Sequence, residues 1–540
     1  MEISDKISAQ KLLKAFKNLE ISHVVISPGS RNAPLTLSFS EDPYFSCFSV
    51  VDERSAGFVA LGMAQQLQKP VAVCCTSGSA LVNYYPAVVE AFYQNLPLIV
   101  LSADRPLDKV DQFEGQTIRQ NHLFKTHLGE SFVLNQEEET QDYANLLAFL
   151  NSKIDKKTPC HINLPFSEPL YGMIPIEDSF KFENQLIPEK SLEKSHIQEE
   201  KMLLTSKMLS EFEKAKKILV LVGMQNYNAH FCQKIEILTQ DPRIVVLKET
   251  TSNLKAKGSL GQIDNILSGI LPEKAKDYAP DLLITLGQNV ISKKIKAFLR
   301  SQKAQFHWHI DPFWSPNTYG ILSDSLCYSA SDFLSELTQK AVFQKDEAEK
   351  NTYASLWKET LKARKKINQK FLSTLPYSDL WVHYKLKKQI PENYILQYAN
   401  SSVVRYGQLF ASKNIVYSNR GTSGIDGSSS TAVGFSILNP NPTLLISGDI
   451  GFMYDINALW NNYLPSHFKI IVFNNGGGNI FKIIQDGTPK DKMETYFETA
   501  HQKKLKKIAE HFGLNYLKID SKKGFDCPIL LCFRLCFRPE

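Results

Sequence analysis

Short apolar runs alternate with segments of helical periodicity along the whole chain, and this alternation restricts the fold more than any other feature. Apolar runs of this length, bounded by turn residues, are typical of strands buried on both faces of a parallel sheet. Strands that alternate with helices fold into layered α/β structures. The sequence therefore predicts doubly wound, mainly parallel α/β domains, with strands at His23–Ser27, Val71–Thr76, Leu98–Ala103, His161–Leu164, Ile218–Val222, Ile244–Leu247, Leu282–Leu286, Phe306–Ile310, Ile415–Ser418, Thr443–Ser447 and Lys469–Phe473.

The length of 540 residues exceeds what one hydrophobic core normally serves, so several domains are expected. A polar, Lys/Glu-rich stretch from Pro188 to Lys201 predicts a linker, and a charged helix-forming segment from Gln344 to Lys370 predicts a second connection. We therefore expect an N-terminal domain at 1–187, a central Rossmann-like domain at 202–343 and a C-terminal domain at 371–540.

Charge and cysteine content exclude several classes of protein. The net charge of +6 is small for this length, and no basic block indicates a nucleic-acid partner. Apolar runs stay shorter than the ~20 residues that span a bilayer. Residues 1–18 form an amphipathic helical pattern without a signal-peptide core. The nine cysteines are odd in number and lack CxxC pairs, with Cys74 and Cys75 inside a strand pattern. These features predict a cytoplasmic protein with reduced thiols and no membrane span.

Two polar motifs each follow a predicted strand in the last third of the chain. The first is Gly448-Asp449-Ile450 and the second is Asn474-Asn475-Gly476-Gly477-Gly478. The carboxyl ends of parallel strands form the edge where ligands bind, and carboxylate and amide oxygens suit Mg²⁺. Either motif alone is more often a simple turn; together they resemble the thiamine-diphosphate motif. That resemblance predicts Asp449, Asn475 and Gly477 as ligands of Mg²⁺ or Mn²⁺, and Gly448 beside the diphosphate.

A carboxylate at the start of a helix is the second signal. Asp52-Glu53-Arg54 leads into a predicted helix, Ala56–Leu67, where an acidic residue often serves only the helix dipole. A thiamine-diphosphate site gives this position a specific task. A carboxyl group must hydrogen-bond the aminopyrimidine ring, so that its amino group becomes the base that removes the thiazolium proton. We therefore predict Glu53 as a catalytic and cofactor-binding residue.

Several longer motifs resemble one family, 2-succinyl-5-enolpyruvyl-6-hydroxy-3-cyclohexene-1-carboxylate synthase, and the similarity runs from about Ser8 to about Lys518. The motifs are SPGSRNAPL at Ser27–Leu35, DER at Asp52–Arg54, ADRP at Ala103–Pro106, QTIRQ at Gln116–Gln120 and SNRGTSGIDG at Ser418–Gly427. The first and last are specific to the family. Generic thiamine enzymes share only the glutamate and the metal motif.

The resemblance implies that 2-oxoglutarate is decarboxylated and that the succinyl carbanion adds to isochorismate, a step of menaquinone biosynthesis. Both substrates are dicarboxylates, which the fork of an arginine side chain matches well. By motif position, the 2-oxoglutarate-derived part is held by Ser401, Arg405 and Arg420. Isochorismate is faced by Ser30, Arg31, Arg105, Gln116 and Lys293. Ile425, next to Gly424, lies beneath the cofactor, and Ile480 and Phe481 form a wall of the site. Lys294 stands where some members have arginine, so its role stays open.

The resemblance also implies a homodimer or a dimer of dimers, in which the N-terminal domain of one chain and the C-terminal domain of another share each cofactor. Two other functions remain open at this point. One is a different thiamine-diphosphate carboligase, such as an acetolactate-synthase-like enzyme. The other is a cofactor-binding pseudoenzyme with a scaffold role.

The C-terminus departs from the family pattern. After Leu514–Ile519 the family continues with a helix and a final strand, whereas here Cys527 to Leu530 leads into a tandem Leu-Cys-Phe-Arg at 531–534 and 535–538. We expect a poorly packed tail that reflects a shifted reading frame or a damaged gene end. The alternative is an unusual terminal strand with Leu531 and Phe533 buried.

Overall fold

A computed structural model describes residues 1–136, 140–179, 204–344, 352–484, 487–526 and 535–537. The chain divides into two compact units, each assembled from distant segments. The first unit comprises Met1–Gln198, Asn419–Ile470 and Lys504–Asn515, and the second comprises Glu199–Ser418, Ile471–Lys503 and Tyr516–Glu540. The expected three-domain division stays a prediction.

The first unit contains a six-stranded parallel sheet. Its strands are rich in Val, Ile, Leu and Cys, and those in the middle are buried along their whole length, as expected for strands covered on both faces. Their spatial order is Ser46–Ser49, His23–Ile26, Val71–Cys75, Leu98–Asp104, Cys160–Pro165 and Phe132–Val133. A small antiparallel ribbon pairs Glu2–Ser4 with Met173–Pro175.

Helices pack around this sheet and continue into the later segments of the same unit. One hydrophobic core joins the strands to the helices Ile7–Asn18, Ala33–Glu41 and Thr140–Asp155. The unit also contains the strand Thr443–Gly448. Its other helices are Glu53–Leu67, Ser79–Asn83, Tyr85–Gln94, Lys125–Leu128, Ser428–Leu438, Asp449–Tyr454 and Lys506–His511, with 3₁₀ turns at Leu107–Lys109, Ile176–Asp178 and Ile456–Leu459.

The second unit contains a five-stranded parallel sheet whose two faces are both covered. Along Ile218–Val222, alternate side chains enter two different hydrophobic cores, because successive residues of a strand point to opposite faces. One core includes the helices Ala229–Leu238 and Ala330–Lys340, and the other includes Lys293–Ser301 and Tyr353–Thr374. The strand order is Ile244–Lys248, Ile218–Val222, Leu282–Leu286, Phe306–Ile310 and Asp324–Leu326.

Further strands of the second unit pair in parallel near its C-terminal segments. Ile395–Tyr398 pairs with Ile415–Tyr417, and Leu535–Phe537 pairs on one side with the strand Phe468–Phe473, through Ile471–Phe473, and on the other with Leu517–Ile519. The remaining helices are Ser206–Lys214, Ile263–Leu267, Asp379–Gln389, Ser402–Gln408, Ile480–Ile484 and Lys490–Lys492, with 3₁₀ turns at Thr250–Ser252, Pro272–Tyr278 and Lys523–Asp526 and a π-helical turn at Met493–Glu498.

The predicted α/β class with mainly parallel sheets is confirmed, and every predicted strand forms within one or two residues of its expected bounds. The N-terminal pattern was partly wrong, since Glu2–Ser4 is a strand and the helix begins at Ile7. The connecting helix runs over Tyr353–Thr374. The predicted linker, Pro188 to Lys201, lies outside the described residues.

The C-terminal tail differs from the expectation at its second Leu-Cys-Phe repeat. The backbone of Leu535–Phe537 is paired on both sides, which the expected unpacked tail would not provide. Leu531 and Phe533 of the first repeat lie outside the described residues, so the expectation for their side chains stays a prediction.

Helix lengths and thiols also bear on the sequence interpretation. Across the described ranges, no helix is both long and apolar enough to cross a membrane. Cys74 and Cys75 are free and fully buried in the strand Val71–Cys75, where burial raises the pKa of both thiols. These two cysteines therefore act as packing residues, as their strand pattern predicted.

Candidate active site

Glu53 is the first residue of the helix Glu53–Leu67 in the first unit. Asp52 caps this helix, because its Oδ1 accepts a hydrogen bond from Ser55 N at 3.1 Å. The Glu53 side chain is half-buried. Burial raises the pKa of the Tyr84 hydroxyl, and the nearby charges of Cys75 and Glu53 contribute to the same shift. The cap fixes the helix start, while the Glu53 carboxylate keeps access to a ligand.

The residues on either side of that glutamate hold the helix start against the end of the helix Asp449–Tyr454 and against the 3₁₀ turn Ile456–Leu459 that follows it. Asp52 Oδ2 accepts a hydrogen bond from Asn457 Nδ2 at 2.7 Å. Arg54 Nη2 donates to the Tyr454 carbonyl oxygen at 2.8 Å, and its guanidinium lies 4.7 Å from the centre of the Tyr454 ring. The predicted base and the predicted metal helix are therefore attached to each other within one unit.

Asp455 directly follows the helix Asp449–Tyr454 and is hydrogen-bonded to the start of the helix Ser428–Leu438. It is fully buried, and its two carboxylate oxygens accept hydrogen bonds from Ser430 N and Ser430 Oγ, both at 2.7 Å. Burial raises the pKa of Asp455 to about 7, against the opposing effects of the Ser430 hydrogen bonds and the positive charge of Arg54. This carboxyl therefore titrates near neutral pH.

Ionisation of Asp455 should lower stability as the pH rises. Its folded pKa of about 7 exceeds the reference value of 3.8, so between those values the folded state binds more protons than the unfolded state. The free energy of unfolding therefore falls as the pH rises through this interval. The stabilisation associated with the protonated Asp455 carboxyl is lost above about pH 7. Asp455→Asn lacks this ionisable group. We therefore expect its melting temperature to change less between pH 5 and pH 8 than that of the wild type.

The comparison is made by scanning calorimetry at one scan rate. Asp155→Asn, which changes an exposed carboxylate of the same unit, is the control. The wild-type and Asp155→Asn proteins should lose more melting temperature from pH 5 to pH 8 than Asp455→Asn does. Identical pH responses in all three would contradict the assignment.

Two glycines let the helix that begins at Glu53 contact the helix Ser428–Leu438 directly. A Cβ atom at Gly62 would lie 2.0 Å from the Thr431 carbonyl oxygen, and one at Gly434 would lie 1.9 Å from the Val59 carbonyl oxygen. Glycine costs a helix roughly 1 kcal/mol relative to alanine, so paired glycines at a crossing serve close approach. Because the two helices cross so closely, the segment before Ser428 lies near the helix Glu53–Leu67, which begins with the predicted catalytic glutamate.

That segment carries the predicted cofactor residues Gly424 and Ile425. A Cβ atom at Gly427 would lie 2.1 Å from the ring of Phe58 on the glutamate helix. The half-buried Ile425 side chain lies 3.8 Å from the Cβ position of Gly451, within the helix that begins at Asp449. Three elements of the first unit therefore converge, and they carry Glu53, Gly424, Ile425, Gly448 and Asp449.

Asp449 begins its helix directly after the strand Thr443–Gly448. The Asp449 side chain is 1% exposed, and Oδ1 accepts a hydrogen bond from Ile450 N at 2.8 Å. A Cβ atom at Gly448 would have no neighbour within 4 Å. A buried carboxylate that directly follows a strand and lies beside open space fits a divalent-cation ligand next to a diphosphate.

Arg420 lies one residue before a backbone turn that Glu90 holds. The buried Glu90 carboxylate accepts hydrogen bonds from Gly421 N at 2.7 Å, from Thr422 N at 2.6 Å and from Thr422 Oγ1 at 2.5 Å. The sequence interpretation missed Glu90. Its signal is a carboxylate inside the apolar helical run Ala87-Val88-Val89-Glu90-Ala91-Phe92, where a buried charge needs partners.

Arg31 and Ser30 follow the first parallel strand of the chain. Arg31 is 5% exposed, and it donates to the Phe166 carbonyl oxygen at 3.0 Å and pairs with Glu168 at 2.8 Å. Its buried Nε has no hydrogen-bond partner in the described part of the chain. Ser30 is exposed. The contacts with Phe166 and Glu168 thus fix the position of the guanidinium.

Arg105 and Gln116 belong to a loop that a buried glutamine attaches to the sheet. Arg105 Nη2 donates to the Gly115 carbonyl oxygen at 3.0 Å. Gln116 is exposed and adopts the left-handed φ of 54°. Gln120 donates to the Ala103 carbonyl oxygen at 3.1 Å, and its Oε1 accepts from Gly78 N at 2.7 Å. Gln120 is a second residue that the sequence interpretation did not assign to the site, although it lies inside the motif Gln116-Thr117-Ile118-Arg119-Gln120.

In the second unit, Lys293 begins the helix Lys293–Ser301 and is exposed. Ser292 caps this helix by accepting a hydrogen bond from Ile295 N at 3.1 Å. Lys294 Nζ donates to Ser268 Oγ at 2.8 Å. Among the described residues, the ammonium group of Lys294 has a hydrogen-bond partner, whereas that of Lys293 has none.

Ser401 and Arg405 lie at the start and in the last turn of the helix Ser402–Gln408. Ser401 adopts a φ of 72°, which is uncommon for a residue other than glycine and is frequent at binding sites. Arg405 is half-buried, and within the described ranges its guanidinium has no hydrogen bond or ion pair. A partly buried, unpaired cation is a good receptor for a carboxylate.

Asn475 and Gly477 follow the strand Phe468–Phe473 in the second unit. Asn475 Nδ2 donates to Asp379 Oδ2 at 2.7 Å, which directs the amide oxygen away from that carboxylate. A Cβ atom at Gly477 would lie 2.8 Å from the Glu498 carbonyl oxygen, and its own carbonyl accepts from Asn479 N at 2.9 Å. The loop is thus fixed by backbone contacts, with an amide oxygen available to a cation.

Ile480 and Phe481 begin the short helix Ile480–Ile484. Ile480 is buried, whereas Phe481 is 39% exposed and its ring centre lies 5.7 Å from that of Phe497. These side chains suit an apolar wall. The predicted site residues therefore divide between the units: the first holds Ser30, Arg31, Glu53, Arg105, Gln116, Arg420, Gly424, Ile425, Gly448 and Asp449, and the second holds Lys293, Ser401, Arg405, Asn475, Gly477, Ile480 and Phe481.

Two family models match the chain. Residues 8–127 match "Thiamine pyrophosphate enzyme, N-terminal TPP binding domain", and residues 401–528 match "Thiamine pyrophosphate enzyme, C-terminal TPP binding domain". Glu53 lies in the first region, and Asp449 and Asn475 lie in the second. The domains that carry the predicted cofactor residues are therefore thiamine-diphosphate-binding domains.

Curated proteins are similar over almost the whole chain. Proteins named 2-succinyl-5-enolpyruvyl-6-hydroxy-3-cyclohexene-1-carboxylate synthase from Flavobacterium psychrophilum and Flavobacterium johnsoniae are each 42% identical over 95% of this chain, and the alignments cover 92% and 91% of those proteins. A protein of the same name from Porphyromonas gingivalis is 36% identical over 97% of this chain and 92% of its own length.

Proposed function

The chain belongs to the 2-succinyl-5-enolpyruvyl-6-hydroxy-3-cyclohexene-1-carboxylate synthase family, and we propose that it decarboxylates 2-oxoglutarate and joins the remaining succinyl unit to isochorismate in menaquinone biosynthesis. The observation that carries this proposal is similarity over 95% of the chain to proteins of that name, with the cofactor motifs intact. That observation disfavours another carboligase, and the presence of Glu53, Asp449 and Asn475 disfavours a pseudoenzyme.

Glu53 serves as the residue that controls protons at the cofactor. When bound, thiamine diphosphate supplies the nucleophilic carbon and the electron sink for decarboxylation. The Glu53 carboxyl holds a proton at a nitrogen of the aminopyrimidine ring, and its half-buried position at a capped helix start suits that contact. Ile425 supports the cofactor from beneath, and Gly424 keeps the adjoining backbone free of a side chain.

Asp449, Asn475 and the Gly477 carbonyl hold Mg²⁺ or Mn²⁺. A buried carboxylate, an amide oxygen and a backbone carbonyl are hard oxygen donors, which suit either cation. Gly448 leaves room for a diphosphate beside Asp449. Three donors from the protein would leave the remaining coordination positions of the cation to phosphate oxygens and water.

The substrate carboxylates are held by two groups of residues. Ser401, Arg405 and Arg420 hold 2-oxoglutarate, and this role is supported by the Arg405 guanidinium, which has no hydrogen bond or ion pair to any residue that the structure describes. Ser30, Arg31, Arg105, Gln116 and Lys293 hold isochorismate, to which Arg31 and Lys293 bring positive charge. Ile480 and Phe481 exclude water from the reacting carbons.

We also propose that the enzyme acts in the cytoplasm as a homodimer or a dimer of dimers. This proposal rests on the family resemblance alone, since within one chain the start of the Glu53 helix already contacts the end of the Asp449 helix. Analytical ultracentrifugation with and without cofactor measures the assembly. A monomer that turns over both substrates would overturn the shared-site arrangement.

Turnover of 2-oxoglutarate with isochorismate tests the function directly. We expect carbon dioxide release and the coupled product only with thiamine diphosphate and a divalent cation, and loss of both with a chelator. Consumption of pyruvate instead of 2-oxoglutarate would indicate another carboligase. Cofactor binding without turnover of any 2-oxo acid would indicate a pseudoenzyme.

Arg405→Ala should raise KM for 2-oxoglutarate by roughly 10- to 100-fold, because one charge-assisted hydrogen bond to a carboxylate is lost. KM for isochorismate should change far less. Steady-state kinetics with each substrate varied in turn measures the two values. Arg300→Ala, which removes an arginine of the same unit that donates to the Thr318 carbonyl oxygen, is the control. Equal effects of Arg405→Ala on both substrates would contradict the proposed division.

A further inference from the structure

Glu249 is a buried carboxylate beneath the loop that ends at Lys293. It directly follows the strand Ile244–Lys248 and is 3% exposed. Its two carboxylate oxygens accept hydrogen bonds from Ile291 N at 2.6 Å and from Ser292 N at 2.7 Å. These are the two residues immediately before Lys293, so the carboxylate fixes the backbone from which the Lys293 side chain extends.

The same carboxylate contacts the helix that carries Arg405. Gln408, the last residue of the helix Ser402–Gln408, donates from Nε2 to Glu249 Oε1 at 3.4 Å. Arg405 lies one turn earlier on this helix. Glu249 is therefore hydrogen-bonded to both elements that present the proposed substrate cations of the second unit.

Neighbouring side chains hold the end of this helix against the same region. The Leu409 carbonyl oxygen accepts hydrogen bonds from Gln262 Nε2 at 2.7 Å and from Asn265 Nδ2 at 3.1 Å. Asp264, between these two residues in sequence, accepts a hydrogen bond from Ser292 Oγ. The segment 262–265 thus contacts the Lys293 loop and the Arg405 helix, with Glu249 at the centre of the polar contacts.

Burial of the Glu249 carboxylate costs free energy, and its hydrogen bonds must offset that cost. Burial raises the pKa of Glu249 to about 6, and the hydrogen bonds from Ile291, Ser292 and Gln408 oppose that shift, while the charge of Asp264 adds to it. Buried ionisable groups are destabilising unless they are paired or hydrogen-bonded. Within the described residues, the hydrogen bonds that the Glu249 carboxylate accepts come from Ile291, Ser292 and Gln408, which belong to elements of the proposed substrate site.

We propose that Glu249 is a positioning residue that fixes Lys293 relative to Arg405, and so sets the separation of the cations that receive isochorismate and 2-oxoglutarate. The proposal rests on the function proposed above. Glu249 touches neither substrate and acts through the backbone of residues 291 and 292 and through Gln408.

Glu249→Gln tests the proposal with a nearly isosteric change. The remaining side-chain oxygen can still accept a hydrogen bond from one backbone N–H. The new NH₂ group must face the other backbone N–H, so that two hydrogen-bond donors point at each other. We expect KM to rise at least ~5-fold for isochorismate, and in the same direction for 2-oxoglutarate, since one buried hydrogen bond is lost. The value of kcat and the affinity for thiamine diphosphate should stay within about twofold.

Glu211→Gln is the matched control. Glu211 is a buried glutamate of the same unit, and it accepts a hydrogen bond from Trp308 Nε1 at 3.1 Å, away from the Lys293 loop. It should leave both KM values unchanged. A fall in kcat alone for Glu249→Gln would indicate only a loss of folded enzyme and would overturn the proposal, as would unchanged KM values.

A double-mutant cycle identifies the route of action. If Glu249 acts through Lys293, Glu249→Gln should add little to the isochorismate KM of Lys293→Ala, whereas independent effects would multiply. Multiplicative effects would overturn the proposed route. Hydrogen exchange gives a readout without turnover: the amides of residues 291 and 292 should exchange faster in Glu249→Gln than in Glu211→Gln, and equal exchange would also overturn the proposal. Failure of the wild-type enzyme to consume both substrates would instead refute the proposed function.

Discussion

Glu53→Gln is expected to lower kcat by roughly 10²–10⁴-fold while leaving the affinity for thiamine diphosphate nearly unchanged. Glutamine can accept or donate a hydrogen bond at the aminopyrimidine ring, but it cannot exchange a proton there. The helix start should remain intact, because its cap is Asp52 and not Glu53. The measurement is the rate of deuterium exchange at C2 of the bound cofactor, together with kcat.

Glu53→Asp is the matched variant for this experiment. It keeps a carboxyl group but retracts it by one methylene, so C2 exchange should be partly retained. The melting temperatures of both variants should stay close to that of the wild type, since Glu53 is only half-buried. Near-normal C2 exchange in Glu53→Gln would show that another group performs the proton transfer.

Asp449→Ala should weaken the binding of the divalent cation and of thiamine diphosphate together, by roughly 10- to 100-fold or more at limiting Mg²⁺. The two affinities should be coupled, because a cation held by Asp449 would join protein oxygens to diphosphate oxygens. Isothermal titration calorimetry with the cofactor, at several Mg²⁺ concentrations, measures the effect. Excess Mg²⁺ should recover part of the lost cofactor affinity by mass action.

The control for this variant is Asp155→Ala, an exposed carboxylate at the end of the helix Thr140–Asp155 in the same unit. It should leave the affinity for cation and cofactor unchanged. Cofactor affinity of Asp449→Ala equal to that of the control at limiting Mg²⁺ would mean that the metal ligands lie elsewhere.

Strands buried on both faces were the part of the fold most accessible from the sequence. Ile218–Val222 and Leu282–Leu286 are continuous apolar runs, because every side chain of a central parallel strand enters a core. Short edge strands gave no such pattern. Ser46–Ser49 and Phe132–Val133 are only partly buried, and the sequence interpretation did not predict them.

Part of the candidate site was also accessible from the sequence. Glu53 and Asp449 follow recognisable patterns, since each carboxylate begins a helix next to residues that match a motif. The motifs also indicated Arg405 and Lys293. Local sequence records the type of each residue and the element on which it lies, and that information suffices to propose these roles.

The residues that hold the site in place emerged only from the tertiary structure. Glu90 and Gly421 are 331 positions apart in sequence, and Glu249 and Ile291 are 42 positions apart. No local pattern specifies which backbone N–H groups a buried carboxylate will meet, because that depends on how distant elements pack. The sequence by itself therefore determined the α/β class and the buried strands through burial periodicity, and it predicted the chemical groups of the candidate site through residue type. Tertiary packing alone decided which carboxylates hold those groups, because a buried charge is stable only where the fold brings donors to it.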